Sequence, residues 1–163
     1  LVVTPELLIS GYPPKDLLLR ESFVDACDRV VEELASELPD NIALLIGHPT
    51  HRDVPDGRIA NAASLLHSGR IQQTARKTLL PNYDVFDEQR YFTAGNEAVV
   101  INMGTCLIGV TICEDIWMDS GPLVWATAAG GAELIVNLSA SPYHRNKGTE
   151  REQRFAEQCI NHR

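Results

Sequence analysis

Three residues combine reactive chemistry with a place where the backbone must turn: Cys113, Glu6 and Lys77. Cys113 follows the apolar run Leu107-Ile108-Gly109-Val110-Thr111-Ile112 and precedes Glu114-Asp115-Ile116-Trp117. Val, Ile and Thr suit a pleated surface, so the run reads as a buried strand with the cysteine at its tip. A thiol is a useful nucleophile only with a base or cation beside it, because the thiolate is the attacking form. A carboxylate in hydrogen-bond reach, here Glu6, can take that proton and later activate water. A lysine, here Lys77, can hold the oxyanion that develops on a carbonyl oxygen, aided by the backbone N–H of Glu114. Together these roles fit acyl transfer from a small amide. Taken singly, each residue has an ordinary structural use as packed core, cap or surface charge.

The elements that must position these groups alternate between strand and helix. Leu1 to Val3 reads as a short buried strand that Pro5 ends, which leaves Glu6 at its carboxyl end. In open α/β sheets ligands gather at that end. Gly11, Pro13 and Pro14 mark a loop, and Asp16 is placed to cap the turn after it. Ser22 can cap a helix to about Leu38, with Phe23, Cys27, Val30, Val31, Leu34 and Leu38 on one stripe. Ile42 to Gly47 predicts a central strand, and His48 to Gly57 a loop. Ile59 to His67 and Ile71 to Lys77 flank Ser68-Gly69-Arg70 as a hairpin, with Lys77 at the end of its second strand. Thr78 to Gly95 is a long aromatic-rich loop, and long ordered loops are usually functional. Ala98 to Asn102 and Thr105 to Ile112 form a second strand pair. Then come a helix over Pro122 to Ala129, a strand over Leu134 to Leu138 and a polar loop over Ser139 to Gly148. Thr149 is placed to cap a last helix, with Glu152 completing a capping box. The mixed order predicts an α/β fold with antiparallel parts.

The chain has 163 residues, 44% hydrophobic and 22% charged, enough for one core in an ordinary globular composition. Its net charge of -8 argues against nucleic acid as a partner, since phosphate binding relies on Lys and Arg stripes. No apolar run approaches the roughly 20 residues of a membrane span. The four cysteines are scattered without a C-x-x-C, which points to a reducing cytoplasm. The five histidines lack metal-ligand spacing, so no metal is expected. Dinucleotide, P-loop, serine-hydrolase and zincin motifs are all absent.

Several local stretches carry a resemblance. Thr4-Pro5-Glu6-Leu7-Leu8-Ile9-Ser10-Gly11-Tyr12-Pro13-Pro14, Arg76-Lys77-Thr78-Leu79-Leu80-Pro81-Asn82-Tyr83 with Val85-Phe86-Asp87-Glu88, and Cys113-Glu114-Asp115-Ile116-Trp117 resemble the nitrilase, or carbon–nitrogen hydrolase, superfamily. They carry its Glu–Lys–Cys triad in the family order. With the Asn137 to Gly148 loop, the wording is most similar to the glutaminase domains of glutamine-dependent NAD synthetases.

The resemblance implies an α-β-β-α sandwich, here truncated at both ends, with one partial hydrolase domain over residues 1–163. It implies that Cys113 attacks the side-chain amide of glutamine, that Glu6 is the base and that Lys77 stabilises the tetrahedral intermediate. Glu88 matches the family's second glutamate. Tyr83, Ser141 and Lys147 match positions that hold glutamine, with Ser139 for Ser141 and Arg145 for Lys147 as open alternatives. Tyr12 and Trp117 would wall the pocket. The released ammonia would serve a synthetase domain that uses ATP and Mg; this chain has no S-G-G-x-D-S loop for that chemistry and needs no cofactor of its own. A homo-oligomer is expected. Rival readings are another nitrilase-type amidase, carbamoylase or ω-amidase, and a scaffold domain without catalysis.

Overall fold

The computed structural model describes residues 1–83, 86–119, 121–122 and 125–162. Asp84 and Val85 of the long loop, and Leu123 and Val124 of the expected helix, lie outside the described residues. The first sheet has the order β1 (Val2–Val3), β2 (Leu44–Thr50), β3 (Ala60–His67) and β4 (Arg70–Arg76). Strands β1 and β2 run parallel, and β2, β3 and β4 follow as antiparallel neighbours. The β3–β4 turn places both Ser68 and Gly69 at positive φ, 51° and 75°, as the right-handed twist of a tight hairpin requires.

The second sheet has the order β5 (Val99–Asn102), β6 (Leu107–Ile112) and β7 (Leu134–Leu138). Its β5–β6 pair is antiparallel and its β6–β7 pair parallel. The two sheets share one core. Leu45, Ala63, Leu65 and Ala75 of the first meet Ile101, Ile108, Val110, Ile112 and Leu138 of the second. The alternation of inward side chains along each strand builds that layer.

Helix α1 (Glu21–Glu37) covers the outer face of the first sheet, with Val31 and Ala35 against Ile46 and Leu66. A π-helical segment, Trp125–Ala129, packs outside β6, so the layers read α-β-β-α. Helix α2 (Lys147–Asn161) lies against the turn after β6, where Phe155 meets the Trp117 ring edge-on at 6.5 Å.

Several local expectations are corrected. Val2 and Val3 are exposed rather than buried, because β1 pairs on one side only among the described residues. Strand β2 starts two residues late and continues through His48-Pro49-Thr50, which the breakers had assigned to a loop. Proline is tolerated there because β1 pairs only Leu44 and Leu45, so Pro49 sits at an edge where no donor is missed. Helix α1 begins at Glu21 with Arg20 at its N-cap, not Ser22, and buries Val24, Cys27, Asp28, Val31 and Ala35. The buried stripe is thus rotated, since Asp28 faces inward to accept from the Thr50 hydroxyl (2.6 Å) and the His51 N–H (3.2 Å). Helix α2 begins at Lys147 behind Asn146, so Thr149 and Glu152 form no capping box. Likewise Pro14, not Asp16, occupies the N-cap of the short 3-10 turn Lys15–Leu19.

One glycine fixes the approach of the Glu6 segment. A Cβ on Gly47 would stand 2.4 Å from the Pro5 carbonyl oxygen, 2.7 Å from the Leu7 nitrogen and 2.9 Å from the Glu6 Cα. Backbone cannot yield as a side-chain tip can. Gly47→Ala is therefore expected to destabilise the fold by about 1–3 kcal/mol and to push Glu6 away from β2. Denaturant unfolding checks the first effect; an unchanged midpoint contradicts it.

Candidate active site

Three chain segments deliver the reactive groups to one place between the sheets. Glu6 follows β1 on a turn held to β2 by Thr4 N–H to the Leu45 carbonyl (3.0 Å) and Ile9 N–H to the Gly47 carbonyl (3.2 Å). Leu7, wholly buried, anchors that turn among Leu18, Val24, Ile59 and Phe92. Lys77 follows β4 and is fixed by its N–H to the Asn61 carbonyl and by the Gly95 N–H to its own carbonyl, both 2.8 Å. Cys113 follows β6 and opens the 3-10 turn Cys113–Ile116. Its φ is +45°, a left-handed conformation that costs a non-glycine residue free energy and turns its side chain out of the strand's path.

The side chains converge. Lys77 is 0% exposed, Glu6 1% and Cys113 3%. The Lys77 ammonium donates to Glu6 Oε1 at 2.7 Å and lies 2.8 Å from both carboxylate oxygens of Glu88. Asn61 Nδ2 donates to the same Glu6 oxygen at 2.8 Å, and the Ala140 N–H donates to Oε2 at 3.2 Å. Cys113 lies near enough to Glu6 for the carboxylate to raise its pKa, and the Ser139 hydroxyl donates to its sulfur at 3.6 Å. Tyr12 closes the far side by donating its hydroxyl to Glu88 Oε1 at 3.2 Å.

Electrostatics set the resting protonation. Burial works against the Lys77 ammonium, but Glu6 and Glu88 outweigh it and hold its pKa above the usual lysine value. Burial pushes the Cys113 thiol up to about 12; Glu6 adds to the rise, and Lys77 and the Ser139 hydroxyl oppose it. The resting sulfur is therefore a neutral thiol at pH 7. Burial also raises the Glu88 carboxyl against the pull of Lys77. Such a site can pass a thiol proton to a carboxylate as sulfur attacks, with a fixed cation beside it.

The remaining expected residues lie around this centre. Tyr83, 56% exposed, donates its hydroxyl to Glu114 Oε1 at 2.9 Å. The Ser139 hydroxyl touches the sulfur, and the Ser141 hydroxyl is one step out, 3.3 Å from that of Ser139. Lys147 sits with its ammonium 4.3 Å from the centroid of the Trp117 ring, whereas Arg145 is exposed. A cleft of about 360 Å³ opens beside Glu88, lined by Tyr12, Phe86, Tyr91 and Phe92 among others. Another, of about 640 Å³, opens beside Glu114 between Tyr83, Leu79 and Met118. Among the described residues no group of three or more His, Cys, Asp or Glu side chains is arranged to hold a metal ion.

Sequence reasoning missed Asn61, Ser139's direct contact, Arg151 and Asp115. Asn61 had a signal, because an amide inside a run of Ala, Ser and Leu is out of place in a strand unless something binds it. Arg151, which donates to the Ser141 hydroxyl and carbonyl, had none.

Lys77 is the only cation between two buried carboxylates among the described residues. Lys77→Met leaves them facing each other, a loss of about 3–5 kcal/mol at neutral pH. Burial already raises the Glu88 carboxyl, and without the ammonium's opposing pull it rises further. The variant should then regain stability as pH falls from 7 towards 4.5, because the folded state binds the extra proton. Urea unfolding across that range checks the sign; a loss that is the same at every pH contradicts it.

Comparison with known proteins agrees with this layout. Residues 1–158 match the carbon–nitrogen hydrolase family model. A glutamine-dependent NAD(+) synthetase of Synechocystis sp. is 43% identical over 166 residues, covering 93% of this chain and 30% of the relative. The solved glutamine-dependent NAD+ synthetase of Acinetobacter baumannii superposes with a TM-score of 0.85 at 34% identity, over 95% of this chain and 28% of that one. An amidase of the nitrilase superfamily from Nesterenkonia shares the fold at TM-score 0.74 and 23% identity, over 96% of this chain and 58% of that one. The chain thus spans less than a third of the length of the synthetases it matches. With a paired-sheet sandwich that carries Glu6, Lys77 and Cys113 at three strand ends and a family match over residues 1–158, the chain belongs to the carbon–nitrogen hydrolase family.

Proposed function

We propose that this chain hydrolyses the side-chain amide of glutamine, as the ammonia-producing part of a glutamine-dependent NAD synthetase. The observation that carries the reading is the convergence of a thiol, a carboxylate and an ammonium in one buried place, in a chain 43% identical to such a synthetase.

In this reading Glu6 takes the Cys113 proton as the sulfur attacks the carboxamide carbon. The C=O π electrons move to oxygen, where Lys77 and the Glu114 N–H hold the negative charge. Collapse of the intermediate breaks the C–N bond. The proton on Glu6 passes to the leaving nitrogen, and ammonia departs. A thioester on Cys113 remains. Water, deprotonated by Glu6, attacks it, and glutamate leaves with the thiol restored. Glu88 holds Lys77 on the Glu6 side, which keeps the ammonium from drifting with the changing charge. Tyr83 and Ser141 bind the amino-acid end of glutamine, and Lys147 answers its carboxylate. Ammonia then amidates nicotinic acid adenine dinucleotide in a synthetase domain, where ATP and Mg act. Cytoplasmic location and a homo-oligomeric state are part of the same reading.

In the intact protein, Cys113→Ala should abolish ammonia release from glutamine and leave NAD formation from added ammonium unchanged. Glutaminase activity persisting in that variant sinks the nucleophile assignment. Ammonia release compared across glutamine, asparagine, short amides and N-carbamoyl amino acids should favour glutamine; equal rates favour a general amidase instead.

A further inference from the structure

Asp115 stands two residues after Cys113 and is 2% exposed. Its carboxylate takes three backbone N–H groups. Oδ2 accepts from Ile112 at 3.1 Å, the last residue of β6 before the cysteine. Oδ1 accepts from Thr78 at 3.1 Å and Leu79 at 2.8 Å, the residues directly after Lys77. A capping role in its own 3-10 turn accounts for the bond to Ile112 alone. The other two bonds cross from the second sheet to the chain leaving the first, 36 and 37 residues away in sequence.

We propose that Asp115 is a positioning residue that sets the distance between the amine of Lys77 and the sulfur of Cys113 by locking their two strand ends together. The proposal rests on the glutaminase reading above. Among the described residues the other hydrogen bond between these two segments joins side chains only, Tyr83 to Glu114 at 2.9 Å; β4 and β6 belong to different sheets, and the apolar layer between them is not directional. Close packing limits slip between the sheets but sets no directional distance between two side chains. Such a distance matters in a site where a near-attack geometry is needed.

The electrostatics support a functional use. Burial pushes the Asp115 carboxyl up to about 6, against the pull of the Leu79, Ile112 and Thr78 N–H groups and of Lys77. Its pKa is thus above the value of about 3.9 expected when unfolded. Stability from this group is present below that unfolded value and is lost as pH rises through about 6. Holding the anion at pH 7 therefore works against stability, which is not what a purely structural clamp would do. The ionisable groups around it are Lys77 from the β4 side and Cys113 and Glu114 in its own turn; Glu114 directs its carboxylate to Tyr83.

The test uses the intact protein and ammonia release from glutamine. Asp115→Asn keeps the size but turns an amide donor towards one set of N–H groups. It should lower kcat about 100-fold with KM within about threefold. In the wild type, activity should fall as pH drops through about 6 while the fold is retained, and Asp115→Asn should lack that acid limb. A variant with wild-type kcat and an unmoved acid limb overturns the proposal. Cys113→Ala, run alongside, separates the two readings. If it is inactive while Asp115→Asn is not impaired, only the role of Asp115 fails; if it stays active, the glutaminase reading fails first. Should Asp115→Asn not fold, amide exchange in the wild type decides. Protection at Ile112, Thr78 and Leu79, corrected for intrinsic rates, should rise together as pH falls through about 6, because the closed state binds the extra proton, and protection that does not change together overturns the proposal.

Discussion

A lysine ammonium with no exposure, gripped by two carboxylates, is the constraint around which this molecule is built. Removing one cation and two anions from water costs several kcal/mol per ion, and mutual attraction offsets that only when the remaining lone pairs are also satisfied. The structure meets the condition in large part. Asn61 and the Ala140 N–H complete Glu6, and Tyr12 donates to Glu88 Oε1, while the buried Glu88 Oε2 has no hydrogen bond and faces the Lys77 ammonium at 2.8 Å. These partners come from β3, from the loop after β7 and from the loop after β1. The charged centre therefore demands that both sheets and the loops between them be assembled correctly.

The thiol sits in the same field but is treated differently. Burial and Glu6 keep it protonated, and the backbone at Cys113 is held at positive φ. An outlier of that kind at the tip of a buried strand persists only when its surroundings over-determine it. Asn137 does part of that, donating to the Cys113 carbonyl at 3.3 Å and to the Thr111 hydroxyl at 3.0 Å. The result is a sulfur that is aimed but not charged, beside a carboxylate able to take its proton.

Polar contacts also hold the outer layer. Asp28 of α1 reaches Thr50, and His48 Nε2 lies 2.8 Å from the Ser64 hydroxyl, itself 2.8 Å from that of Thr74. Burial lowers the His48 pKa, so the ring is neutral there. This chain of side chains registers helix, β2, β3 and β4 against one another. Apolar packing alone would leave that register loose, and β2 must stay in place because its Gly47 carries the Glu6 turn.

The strands, the hairpin and the strand-end positions of Glu6, Lys77 and Cys113 were legible from local rules, because alternation, turn residues and apolar runs act over a few residues. The resemblance in the loops was legible for the same reason. Helix starts, the rotated stripe of α1 and the strand through Pro49 were not, since each depends on a partner distant in the chain: Asp28 on Thr50, Pro49 on how far β1 extends. Arg151 and Asp115 could not be singled out either, for their value lies in hydrogen bonds to other segments; Asn61 showed only as an amide out of place in a strand. The sequence by itself determined which chemical groups were present and that each stood at a strand end. Only the tertiary structure decided that they meet, because convergence is set by the stacking of two sheets, and no pattern within one segment encodes the distance to another.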